Sequence, residues 1–137
     1  MAHGHGYSSR FALSVYVACF SIGAFNHARD FLAWGWRPYA WGPPLLEAFW
    51  TSLLAFDVIV VGLILAGRRR PGLLLAAIIM IVDVAANAFA WLALGVPAFA
   101  AAVPLQAAFL GFVLGSMPFL WEETASSAHG SGDERSE

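Results

Sequence analysis

Lysine is absent from this 137-residue chain, and all seven basic residues are arginines. Charged residues make up only 12% of the sequence against 60% hydrophobic ones, where a soluble domain carries about a quarter charged residues. That scarcity excludes an ordinary soluble domain. The formal net charge of −2 also gives no basic surface for nucleic acid. With a single cysteine, Cys19, the chain has no internal disulfide, and a thiol inside an apolar run is expected to be inert. There is no Ser-His-Asp order, glycine-rich phosphate loop, CxxC pair or heptad repeat. No cofactor is therefore expected, and no metal site is assigned.

What the chain has in quantity is long apolar runs. A bilayer core is crossed by about 20 mostly apolar residues in a helix, and backbone in lipid must satisfy its own hydrogen bonds. Four segments meet that length, at about 11–33, 45–66, 73–94 and 99–121. The chain is thus read as an all-α membrane protein, with four antiparallel transmembrane helices in an up-down bundle over 11–121. A short cytoplasmic segment, 1–10, precedes it. A small, polar tail, 122–137, is expected to be disordered. A cleaved signal peptide does not fit the first run, because Asn26, His27, Arg29 and Asp30 stand where small residues should precede cleavage.

The connections carry the right chemistry. "GWRPYAWGPP" (Gly35 to Pro44) has the Pro, Gly and aromatic content of an interfacial loop. "GRRRPG" (Gly67 to Gly72) is a charged turn whose Pro71 suits the start of a helix. The three adjacent arginines place that turn in the cytoplasm. Both termini then face the cytoplasm too, and the location is a multi-pass protein of the cell membrane.

Against this background two aspartates need a reason. Asp57 lies eleven residues before Arg68, and Asp83 thirteen after Arg70. At 1.5 Å per residue the two carboxylates reach nearly one depth on neighbouring helices. Each costs on the order of 3 kcal/mol at the bilayer centre. Two carboxylates close together in low dielectric do not both ionise freely, so the pair is expected to share a proton. Asn87, one turn after Asp83, and Gln106 equally suit plain hydrogen bonding between helices.

The remaining polar groups gather in the half away from the arginines. Asn26, His27 and Asp30 lie on the first helix, Glu47 on the second, Asn87 on the third and Gln106 on the fourth. With Asp57 and Asp83 as floor and Trp50 and Trp91 as walls, they predict an outward-opening polar cavity. His27, Asp30 and Glu47 also suggest a metal site, a weaker pattern than hydrogen bonding. Gly111 and Gly115 form a small-xxx-small pair for a close helix contact, within the bundle or between two copies.

Three functions fit. The leading one is binding or proton-linked carriage of a small or lipid-like molecule. A membrane enzyme doing acid/base chemistry on a lipid, through His27 or an aspartate, is the second. An accessory subunit, whose polar residues only lock a membrane complex together, is the third.

Overall fold

The computed structural model describes residues 3–133, with side chains from Tyr7 to Glu123. It contains four helices, α1 (His3–Trp34), α2 (Pro44–Leu65), α3 (Arg69–Leu92) and α4 (Phe99–Asp133). Each includes a stretch long and apolar enough to cross a membrane. The fold is all-helical among the described residues.

Three boundaries differ from those expected. α1 begins at His3 rather than Phe11, and its early turns are held by docking, since Ser9 is buried and its hydroxyl donates to Glu123 Oε1 at 3.0 Å. α3 begins at Arg69, which narrows the charged turn. α4 passes through Pro118 and continues to Asp133. The fully buried Leu120 and the Arg70 guanidinium, 5.0 Å from the centre of the Trp121 ring, anchor the turn after that proline. Most of the segment expected to be a disordered tail is therefore helix, and residues 134–137 lie outside the described part.

The α2–α3 turn shows how local sequence fixes the topology. Gly67 takes φ of +75°, a conformation that a side chain disfavours. Its N–H bonds to the Ile64 carbonyl at 3.1 Å, and that of Arg68 to the Leu63 carbonyl at 2.8 Å. These two bonds close the helix end with a Schellman motif. Gly72, opposite, leaves little room for a side chain, because a Cβ there would lie 3.0 Å from Ile64 Cγ1 and 3.3 Å from Leu63 Cβ. The two helices are pinned close at the turn.

Consecutive helices pack along their lengths. α3 is central, with half of its apolar stretch buried against 6% of α4's. Its Ala76, Ala77, Ala86 and Ala90 are buried and small, which lets neighbouring backbones approach. α1 and α4 touch much less, and the hydrogen bonds between them lie toward the arginine end. There the buried Tyr16 hydroxyl donates to the Val113 carbonyl at 3.0 Å, and the Tyr16, Phe20, Phe109 and Phe112 rings pack together. Beyond Phe20 and Phe109 the two helices leave a gap. That gap positions the site.

Candidate functional site: a cavity between the helices

A cavity of about 410 Å³ lies beyond the aromatic cluster and is lined by all four helices. Phe20, Leu53, Ile79, Met80 and Phe109 give it apolar walls, while Asp57, Asp83, Gln106, Asn26 and His27 bring polar groups to it. The two aspartates do line one space, as their depth predicts. Their surroundings differ.

Asp83 ends a closed hydrogen-bond network. The Trp50 indole N–H donates to Asn87 Oδ1 at 2.8 Å. Asn87 Nδ2 donates to Asp83 Oδ1 at 3.0 Å and to Gln106 Oε1 at 2.9 Å. Gln106 Nε2 then donates to Asp83 Oδ2 at 2.8 Å. Both carboxylate oxygens receive an amide proton, the arrangement that a charged carboxylate favours. Asn87 and Gln106 thus combine the interhelical bonding expected of them with support for Asp83.

Asp57 has no such support. It is 5% exposed, faces the cavity and makes no hydrogen bond to the described residues. Gly23 of α1 lies against it, so that a Cβ on Gly23 would fall 2.5 Å from Asp57 Oδ2. No hydrogen bond joins Asp57 to Asp83 among the described residues. Asp83 is turned instead to the amides of Asn87 on α3 and Gln106 on α4.

The other polar residues divide by position. Asn26 is exposed at the cavity rim without a hydrogen-bond partner among the described residues. Glu47 does not line the cavity and takes a two-pronged pair from Arg37, Nε to Oε1 at 2.6 Å and Nη2 to Oε2 at 2.8 Å. These bonds hold the Arg37 guanidinium above its ordinary pKa. With Glu47 so engaged, no group of three metal-ligating side chains forms among the described residues. Trp50 is buried above the cavity, stacked between Trp41 and Phe99 at 5.4 and 5.5 Å. Neither Trp50 nor Trp91, which is half-buried, lines the cavity, contrary to expectation.

Residues 35–43 fold back over the end of the bundle. The Tyr39 hydroxyl donates to Asp30 Oδ2 at 2.8 Å and lies 2.8 Å from His27 Nδ1. Burial first, then the bond to Asp30, push the Tyr39 phenol up, so it keeps its proton at neutral pH. Since that single proton points to Asp30, the phenol oxygen accepts from His27 Nδ1–H. A neutral His27, which also lines the cavity, then carries its lone pair on Nε2. Tyr39 and Gly23 were not foreseen as parts of the site. The twelve-residue separation of Tyr39 from His27 across a short loop was the available signal.

The cavity opens at the side. Its exposed lining residues are Ile22 and Asn26 of α1 and Leu105 of α4, facing the gap between those helices. The expected opening at the loop end is covered by Tyr39, Trp41 and Trp50. Gly111 and Gly115 are exposed with open space over each Cα, so they make no close helix contact among the described residues. No protein-family model, curated protein or solved structure matches this chain.

Proposed function

We propose that this is a multi-pass protein of the cell membrane, with four antiparallel helices running up and down and both termini cytoplasmic, that binds a small lipid-like molecule in its cavity. Membrane residence is supported by the outer faces of the bundle, where Leu32, Ile59, Leu74, Ile78, Leu92 and Leu105 are all exposed. In water such a surface would aggregate, whereas in lipid it costs nothing.

The observation that carries the binding reading is the buried, unbonded Asp57 carboxylate at the cavity. A polar group out of water without a partner costs about 1–3 kcal/mol or more when charged, and a ligand group removes that cost. The volume lies within the ordinary range of ligand pockets. Asp57 is also where a proton would be exchanged if binding were linked to carriage across the membrane. The open Gly111/Gly115 face is the surface on which a second copy would pack.

Native mass spectrometry in a mild detergent tests the reading. The wild-type protein is expected to retain a small molecule that an Ala102→Trp variant, with its cavity filled, loses. Equal retention by both proteins would place the molecule elsewhere and end the cavity-binding reading.

A catalytic reading draws on one specific observation, the Asp30–Tyr39–His27 chain. It fixes the His27 tautomer and leaves Nε2 as a base beside the cavity. A mass change in an added lipid extract, lost in His27→Phe, is its signature. A stable partner that co-purifies with an Ala102→Trp variant as well as with the wild type would favour the accessory-subunit reading.

A further inference from the structure

We propose that the cavity takes a molecule with a cationic nitrogen, an ammonium group on an apolar body, which enters sideways from the lipid between α1 and α4 and sets its nitrogen on Asp57. This rests on the cavity-binding reading and narrows it to one chemical class.

The charge balance of the site carries the inference. Two carboxylates line the cavity, and no arginine does. The chain has no lysine to supply. Arg37 is committed to Glu47, Arg29 lies 3.9 Å from Asp30, and Arg69 lies 3.7 Å from Glu123 at the far end. Each Asp83 oxygen already receives an amide proton, whereas Asp57 receives none among the described residues. A buried carboxylate without a counter-charge is costly, and an ammonium group supplies both the charge and the N–H donors. An anionic headgroup would face two acids and no cation. A neutral alcohol would supply one donor and no counter-charge.

The route follows from where the walls end. α1 and α4 close on each other at Tyr16, Phe20 and Phe109. Past these rings the rim is Ile22 and Leu105, which are 61% and 73% exposed. An apolar body therefore stays in contact with hydrocarbon as its polar end passes Asn26 toward Asp57. Gly23, bare of side chain, is the point on α1 where the two meet.

Thermal unfolding in a neutral sugar detergent, with dodecylamine, dodecanol and dodecanoate as probes, tests the class. Dodecylamine is expected to stabilise the wild-type protein at a concentration about tenfold below dodecanol, the factor that a charge-assisted bond supplies, and dodecanoate is expected to give no shift. Asp57→Asn should erase the preference for the amine. If amine and alcohol act equally on the wild type, the cationic class is overturned while binding in the cavity stands. The wild-type comparison decides this even if Asp57→Asn fails to fold. If no probe acts differently on wild type and Ala102→Trp, the cavity reading falls and this inference with it. For the route, cysteines at Ile22 and Leu105 in a Cys19→Ala background, bridged by a bifunctional maleimide, are expected to stop amine binding. Unchanged binding after bridging would overturn sideways entry.

Discussion

A Cβ on Gly23 would stand 2.5 Å from Oδ2 of Asp57, so α1 passes the buried carboxylate as bare backbone. Elsewhere in a helix, Gly→Ala gains about 1 kcal/mol from propensity. At Gly23 the methyl group must push the carboxylate aside. The side chain of Asp57 is free to turn, because no hydrogen bond holds it. Gly23→Ala is therefore expected to fold with unchanged or slightly raised thermal stability, yet bind dodecylamine about tenfold more weakly. A loss of stability without a loss of binding would show that Asp57 is not the anchor.

Asn87 is the hub of the network beneath Trp50. Asn87→Leu removes the acceptor of the Trp50 N–H and a donor to both Asp83 and Gln106. Buried groups left unmet cost about 1–3 kcal/mol each, so a loss of about 2–4 kcal/mol is expected in detergent unfolding. Gln106→Leu should cost less, because Trp50 keeps its acceptor. Since the two share Asp83, the double variant should lose less than the two single losses added. Additive losses would mean that the network does not act as a unit.

The helices and their number were legible because a span imprints some twenty consecutive residues, a signal that no single position can spoil. The common depth of Asp57 and Asp83 was legible for a similar reason, since rise per residue is nearly constant along a helix. What separates the two aspartates was not. It depends on the rotation of α4, which brings Gln106 to Asp83 and not to Asp57, and rotation about a helix axis is set by packing against neighbours. The sideways opening likewise arises from the spacing of α1 and α4, which are distant in sequence. The continued helix after Trp121 was masked by its composition: the segment looks like tail when the contacts of Glu123 with Ser9 and of Trp121 with Arg70 are unseen.

The tautomer of His27 gives a test independent of any ligand. With the Tyr39 hydroxyl donating to Asp30, His27 donates to the phenol oxygen through Nδ1. Nitrogen NMR of histidine-labelled protein is expected to show one neutral ring with its proton on Nδ1, the less common form. Tyr39→Phe removes both hydrogen bonds and should return that ring to the ordinary Nε2–H form, with a loss of about 1–2 kcal/mol in stability. If the wild-type ring already carries its proton on Nε2, the base beside the cavity does not exist, and the catalytic reading loses its only specific support.

Orientation is the last expectation, and it rests on arginine. Arg68, Arg69 and Arg70 sit together at one end of the bundle, where Arg69 and Glu123 approach to 3.7 Å and Ser9 bonds to Glu123. The start of α1, the α2–α3 turn and the late part of α4 therefore share that end. The opposite end carries Arg37 and Arg29, but Arg37 is drawn to Glu47 and Arg29 lies near Asp30. Because cytoplasmic loops are the ones enriched in basic residues, the end with three adjacent arginines is expected inside. Trp36, at 87% exposure, marks the other end without entering any hydrogen bond of the site. In a Cys19→Ala background of intact cells, Trp36→Cys should react with an impermeant maleimide, whereas Ser136→Cys should react only after permeabilisation. The reverse pattern would invert the protein, place the covered loop end and Tyr39 in the cytoplasm, and move the sideways entry to the inner leaflet.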